Sequence, residues 1–368
     1  MVIPFIRLDR QYKSLKDEFL SATDTVLSHG QVLQGPEIDE LEYELSEIFK
    51  MSSVVTVASG TDALIFSLRA LGLKPGARVG VTSFSFISSA SAITHAGGIP
   101  IFVDINQYFL SETDQLLDLI VNKKVDGIIA VHLFGQMMEL KEVYNEAKNR
   151  GIFIIEDAAQ CFGAKRNQLT PGKYSDAVCL SFDPTKVIGA YGSGGAVITN
   201  NATLGNKVQK LRYHGHIGEK KYLEVGFNSQ LATLQAAYML LKLKHMKVWQ
   251  ERRMEIAKIY NQALEDIEEI ETPKTMQGST HIFHKYVIRV ESGRNKFASY
   301  LRQKGISTSI HYPIPLHHQP CFSVNKNIQR NLPLVEKTVD EVLSLPIYPE
   351  LSNKEVNSIC DSIQSFFR

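Results

Sequence analysis

At 368 residues the chain is too long for one small core, so a large α/β domain with a smaller domain beside it is expected. Lys and Arg total 40 against 39 Asp and Glu, a net charge of +1, which argues against a nucleic-acid partner because such affinity needs a basic surface. A small anionic ligand needs only local charge and stays open, no run of about 20 apolar residues marks a membrane span, and near-neutral charge leaves oligomers unopposed.

The cysteines, Cys161, Cys179, Cys321 and Cys360, are widely spread and form no CxxC pair. A reduced compartment suits them better than a disulfide framework. The opening Met1-Val2-Ile3-Pro4-Phe5-Ile6-Arg7 lacks the charged-then-apolar order of a signal peptide. A cytoplasmic location without a membrane partner is the expectation.

A polar arm comes first, with a helical pattern from Arg10 to Ser28 that stops at Gly30. A second helix is expected from Pro36 to Lys50, with proline in its first turn. Val54 to Ala58 reads as a buried strand, and Ser59-Gly60-Thr61-Asp62 opens a helix through Leu71. A strand, a small-residue turn and a helix start make an anion site, because free N–H groups and the positive helix end face the ligand. The same residues also suit an ordinary N-cap, with Ser59 or Thr61 capping.

Arg78 to Thr82 is the next strand, followed by Ser83-Phe84-Ser85-Phe86 and a helix from Ile87 to His95. The strand Ile101 to Asp104, a helix over 112–122, the strand Gly127 to Val131, a helix over 139–149 and the strand Phe153 to Asp157 continue the alternation. That pattern predicts a mostly parallel sheet sandwiched by helices. Ligands lie at the carboxyl ends of strands in such sheets. The rule selects Ser59 to Asp62, Phe84 to Phe86, Asp157 to Gln160 and, with a strand at Ala177 to Phe182, the stretch around Lys186.

Helices are expected over Leu204 to Arg212 and, as one long element, Ser229 to about Leu264. Lys242, Lys244, Lys247, Arg252 and Arg253 read as its solvated basic face. Strand-like His284 to Val290 and Ser307 to Tyr312, helical Lys296 to Lys304 and a terminal helix from Ser352 to Phe367 suggest a small α+β domain. Residues 1–245 are assigned to the arm and large α/β domain, and 246–368 to the small C-terminal domain.

Lys186 lies between an apolar strand and the glycine-rich turn Gly192-Ser193-Gly194-Gly195. Desolvation there would lower its pKa, and a neutral lysine amine is the nucleophile for a Schiff base. A surface lysine on a loop is the plain alternative. Asp157 could be a metal ligand, a general base or the partner of a protonated ring nitrogen. No cluster with metal-ligand spacing surrounds it, so no metal is expected. Joined to Lys186, the third role points to pyridoxal phosphate, held by a lysine and tuned by an acid at its ring nitrogen. A phosphate-binding helix start at Gly60-Thr61-Asp62 and a stacking Phe86 would complete the site.

The set Ser59-Gly60-Thr61-Asp62-Ala63-Leu64, Phe102-Val103-Asp104, Glu156-Asp157-Ala158-Ala159-Gln160, Ser181-Phe182-x-x-x-Lys186 with Gly194-Gly195-Ala196, and Gly226-Phe227-Asn228 resembles the DegT/StrS family. These are pyridoxal-phosphate sugar aminotransferases of fold type I, and the likeness runs from Leu8-x-x-Gln11-Tyr12 to Leu345-Pro346-Ile347-Tyr348-Pro349. The resemblance implies that Lys186 carries the cofactor and is catalytic. It implies that Asp157 faces the pyridine nitrogen, Gln160 the ring hydroxyl and Phe86 the ring face. Gly60, Thr61 and Asp62, Ser181 and, from the neighbouring subunit, Asn228 would hold the phosphate. A homodimer with shared active sites follows from that last point. Open alternatives are a strand-end hydroxyl for Ser181, a core role for Phe86, and helix caps for Gln160 and Asn228.

The resemblance also implies transfer of an amino group from L-glutamate, leaving 2-oxoglutarate, to a keto-sugar in amino-sugar biosynthesis for surface polysaccharides. Some relatives carry histidine in place of the lysine and dehydrate instead. Gly189-Ala190-Tyr191-Gly192 and Ser309-Ile310-His311-Tyr312-Pro313-Ile314-Pro315-Leu316-His317 look more like the 3-keto-sugar branch than the 4-keto branch. There His311, Tyr312 and, less directly, His317 would meet the substrate, although the proline-rich segment could equally be a rigid loop. Three departures matter. Asp183 stands where many members have an aromatic residue, near the sugar, and Ser193 replaces a common acid. Gln230 stands where many have arginine, which removes a positive charge. They weaken the case for a nucleotide-linked substrate and leave a sugar acid open. A non-catalytic cofactor-binding regulator is the competitor from another class.

Overall fold

The structure is a computed structural model and describes residues 2–216, 221–322 and 331–368. Among these residues seven strands form the main sheet, in the order Ser53–Val57, Gly195–Thr199, Ala177–Ser181, Phe153–Asp157, Gly127–Val131, Arg78–Thr82, Ile99–Val103. All run parallel except Gly195–Thr199, which is antiparallel to both its neighbours. The strands are short and apolar because both faces are covered, as parallel sheets require. Gly127–Val131 is buried at every position.

The reversed strand has a consequence for function. Its first residue, Gly195, pairs with both Val57 and Ser181, so it lies beside the carboxyl ends of two parallel strands. A Cβ at Gly195 would lie 2.5 Å from the Ser59 carbonyl oxygen. The glycine-rich turn therefore lets backbone pass directly under the start of the Gly60–Ala70 helix.

A second core, including Ile256, Tyr260, Ile288, Phe297 and Ile359, packs around a three-stranded antiparallel sheet of Ile270–Glu271, Tyr286–Val290 and Val342–Leu345. The start of the chain joins this core: the Ile3 N–H donates to the Gly305 carbonyl and the Ser307 N–H to the Ile3 carbonyl. The closing helix Asn353–Phe367 begins with a capping box, Ser352 with Glu355.

Several local expectations are corrected. The first helical pattern splits at Leu15 into Leu8–Ser14 and Lys16–His29. The expected single helix from Ser229 is two, Thr233–Leu243 and Met246–Leu264, with the break at Lys244 and His245. Its basic face is not uniformly solvated. Lys242 is 1% exposed, bonded to the Gly189 carbonyl and placed over the Tyr191 ring at 4.1 Å. Arg253 is 4% exposed and donates to the Ile347 carbonyl at 2.8 Å. Ser307 to Tyr312 forms only an isolated bridge at Ser309, while Val342–Leu345 is a full strand.

Asp104, at the end of Ile99–Val103, caps a distant helix. Its carboxylate accepts the N–H groups of Leu334 at 2.9 Å and Val335 at 2.8 Å, in the first turn of Pro333–Glu341. A carboxylate there satisfies open donors and meets the positive end of the helix.

Candidate active site

The carboxyl ends of the parallel strands open into a cleft of about 530 Å³. Gly60, Thr61, Phe86, Asp157, Gln160, Ser181, Asp183, Lys186, His311 and Tyr312 all line it. A larger cavity of about 660 Å³, around Glu139, Arg166 and Tyr174, contains none of the expected site residues.

At one end of the cleft the Gly60–Ala70 helix begins. Ser59 caps it by accepting the Asp62 N–H at 3.1 Å. Asp62 therefore differs from expectation: its N–H serves the cap, and its carboxylate accepts the Ser229 hydroxyl at 2.8 Å. The N–H groups of Gly60 and Thr61 have no protein acceptor among the described residues. Hydroxyls of Thr61 and Ser88, 2.8 Å apart, and of Ser181 stand beside them. A Cβ at Gly60 would lie 2.6 Å from the Ser181 Cβ, so only glycine lets helix start and strand end converge. Free N–H donors, hydroxyls and a positive helix end make a donor set that fits a phosphate.

Asp157 is 6% exposed. Its Oδ2 accepts the Ser89 hydroxyl at 2.7 Å and its Oδ1 the Ala159 N–H at 3.2 Å. Ser85 and Ser89 are 2.9 Å apart, so Ser85 donates to Ser89 once Ser89 donates to the carboxylate. The neighbouring Glu156 points the other way. It meets His132 at 2.6 Å, the Ser175 hydroxyl at 2.6 Å and the Gly172 N–H at 2.7 Å. Alternation along one strand thus gives one carboxylate to the cleft and one to the scaffold.

Lys186 follows a turn built by Asp183. The Asp183 carboxylate accepts the Thr185 N–H at 3.0 Å and hydroxyl at 2.6 Å, and the Lys186 N–H donates to the Asp183 carbonyl at 2.9 Å. Asp183 is thus a turn former next to the cleft. Burial lowers the Lys186 pKa, against the charges of Asp157 and Asp183, which raise it. A depressed lysine is a nucleophile and a base near neutral pH.

Gln160 opens no helix. Its Oε1 accepts the Phe134 N–H and its Nε2 donates to the Tyr312 hydroxyl, both at 3.0 Å. Phe86 is 54% exposed and so not core. His311 stacks on Phe5 at 5.7 Å, and its Nδ1 meets the Ser344 hydroxyl at 2.8 Å. Burial, then the charges of Lys285 and Lys186, lower its pKa to about 3, so it is neutral.

Three expected residues, Asp62, His317 and Asn228, do not line this cleft. His317 is held between the Ser83 hydroxyl at 2.5 Å and Glu336 at 3.2 Å, which leaves no reason to assign it to substrate. Asn228 sits in a bridge with Tyr213 and is no helix cap, since the next helix takes Ala232 as its N-cap. Residues not anticipated are Ser88, Ser89, His284 and Lys285. Ser88 and Ser89 follow Ser85 at i+3 and i+4, whereas Lys285, just before the strand Tyr286–Val290, carries no local signal.

An open parallel sheet with an amine, a buried carboxylate and a phosphate cradle at one cleft is the arrangement of a pyridoxal-phosphate enzyme of fold type I. Residues 13–364 match the model of the DegT/DnrJ/EryC1/StrS aminotransferase family. The chain belongs to that family and is a pyridoxal-phosphate-dependent aminotransferase. A Geobacillus stearothermophilus protein named pleiotropic regulatory protein is 36% identical over 370 residues, covering 100% of this chain and 99% of that protein. The UDP-2-acetamido-2-deoxy-3-oxo-D-glucuronate aminotransferase of Pseudomonas aeruginosa is 34% identical over 362 residues, covering 98% and 99%. The crystal structure of NtdA from Bacillus subtilis, with bound cofactor PMP, superposes with a TM-score of 0.91 at 31% identity, covering 100% of this chain and 85% of that one.

Proposed function

We propose that the protein moves an amino group from L-glutamate to carbon 3 of a keto-sugar, nucleotide-linked, in cytoplasmic amino-sugar biosynthesis for surface glycans. The observation that carries the reading is the convergence of Lys186, Asp157 and the free N–H groups of Gly60 and Thr61 on one cleft. Relatives named for 3-oxo sugars support the choice of carbon 3.

When bound, pyridoxal phosphate supplies an electrophilic carbon and a ring that takes up the electron pair released as the donor's α C–H bond breaks. The chain does the rest. The N–H groups of Gly60 and Thr61 and the Ser181 hydroxyl anchor the phosphate. Asp157, fixed by Ser89 and Ala159, holds a proton on the ring nitrogen. Lys186 Nζ removes the α-proton from the donor and delivers it again on the other side of the transfer. Such general acid–base action is worth about 10²–10⁴-fold. Tyr312 and the neutral His311 offer hydrogen bonds to sugar hydroxyls.

A homodimer with shared sites fits the surface around Asn228. Asn228 lies outside its own chain's cleft, and Tyr222, Leu223, Val225, Val32 and Leu33 are exposed apolar residues. Charge neutrality permits their burial against a second copy.

The test is a panel run in reverse: nucleotide-linked 3-amino and 4-amino sugars and amino-sugar acids, each offered with 2-oxoglutarate. Glutamate formed from a 3-amino nucleotide sugar supports the reading. Turnover only of 4-amino sugars or of free sugar acids replaces the substrate, and turnover of none overturns the substrate reading.

A further inference from the structure

Lys285 lines the cleft and has no ion-pair partner among the described residues. It enters the strand Tyr286–Val290, and its N–H donates to the Phe134 carbonyl at 3.3 Å. Its Nζ sits 5.0 Å from the centroid of the Phe5 ring, which also stacks on the His311 ring. The Asp183 carboxylate favours the charged form of Lys285 without a hydrogen bond, while Lys186 and Arg253 oppose it.

The other basic groups of the cleft cannot do the same work. Burial keeps His284 and His311 neutral. Lys186 is committed to the cofactor and to proton transfer. Gln34 Nε2 donates to Gln230 Oε1 at 2.6 Å, so an uncharged amide pair occupies the place where resemblance would put an arginine. A dicarboxylate donor entering beside Asp157 and Asp183 needs a cation, and Lys285 is the remaining one among the lining residues.

We infer that Lys285 binds a carboxylate of the amino donor and so selects L-glutamate in this cleft. The inference rests on the reading of L-glutamate as donor. Phe5 holds the ammonium in place by its π-face until the carboxylate arrives. Neutral His311 is beside it and adds a hydrogen bond rather than a competing charge.

The experiment uses the cofactor-loaded enzyme and three proteins: wild type, Lys285→Met and Lys285→Arg. Conversion of wild type by L-glutamate, seen as loss of the visible cofactor band, tests the donor reading by itself. Calorimetric binding of glutarate, a dicarboxylate with no amino group, tests the inference without turnover. Lys285→Met is expected to weaken glutarate binding and raise KM for L-glutamate by about tenfold or more, with KM for the sugar and the cofactor spectrum unchanged. Lys285→Arg is expected to restore most of both. L-Alanine as donor locates the contact: an equal loss assigns the α-carboxylate, and no loss assigns the side-chain carboxylate. Unchanged glutarate and glutamate binding in a normally loaded Lys285→Met overturns the inference, as does a loss confined to the sugar.

Discussion

The Ser89 hydroxyl donates to Asp157 Oδ2 at 2.7 Å in a buried setting, and Ser85 stands 2.9 Å behind it. The helix Ser88–His95 thereby fixes the rotamer of a carboxylate on the strand Phe153–Asp157. Ser89→Ala removes a hydrogen bond to a charged group, worth about 1.5–3 kcal/mol. The expected result is a kcat lower by about tenfold to a hundredfold, with cofactor still bound. Single-turnover reaction with L-glutamate measures it, and Ser89→Thr should recover part of the loss.

Gly60→Ala tests the phosphate cradle. The added Cβ would lie 2.6 Å from Ser181 and must push helix start and strand end apart. The cofactor is expected to bind at least tenfold more weakly, while unfolding by urea shifts little. Equilibrium titration with pyridoxal phosphate checks it.

Asp104→Ala separates stability from chemistry. Asp104 caps the Pro333–Glu341 helix and is not among the residues that line the active-site cleft. Loss of the cap leaves partly buried donors open and is expected to cost about 2 kcal/mol. The urea midpoint should fall, and the cofactor spectrum should not change.

The pH dependence of donor binding has a definite sign. Burial, then the charges of Lys186 and Arg253, lower the Lys285 pKa to about 7, with Asp183 acting the other way. Carboxylate binding needs the charged form, so it is strongest below pH 7 and weakens above it. KM for L-glutamate should rise about tenfold per pH unit above 7. The buried histidines, His284 and His311, are neutral throughout this range and contribute nothing to it. Lys285→Arg should flatten the profile, because guanidinium does not titrate there. Initial rates from pH 6 to 9 decide the matter.

The parallel strands were legible in the sequence because short apolar runs alternate with helical patterns, the order of βαβ units. Lys186, Asp157, Gly60 and Thr61 were legible because strand ends concentrate them. Three features were not. Lys242 looks solvated by composition, yet a carbonyl and an aromatic face hold its ammonium inside. The break at Lys244 and His245 has no Gly or Pro to announce it. His317 looked like part of the substrate segment, but a buried hydroxyl and Glu336 hold its ring elsewhere. Each depends on long-range packing, which local pattern does not encode. Asp183 stands where the resemblance puts an aromatic residue, and its turn-forming bonds to Thr185 account for it.

The central claim is that Lys186 carries the cofactor and moves the proton. Borohydride reduction of the holoenzyme, followed by digestion and mass spectrometry, tests it most directly. The phosphopyridoxyl label is expected on the peptide containing Lys186, and Lys186→Ala is expected to take no label and to transfer no amino group. A label on Lys285 or any other lysine in the wild type, or a reducible bond that survives in Lys186→Ala, would contradict the account.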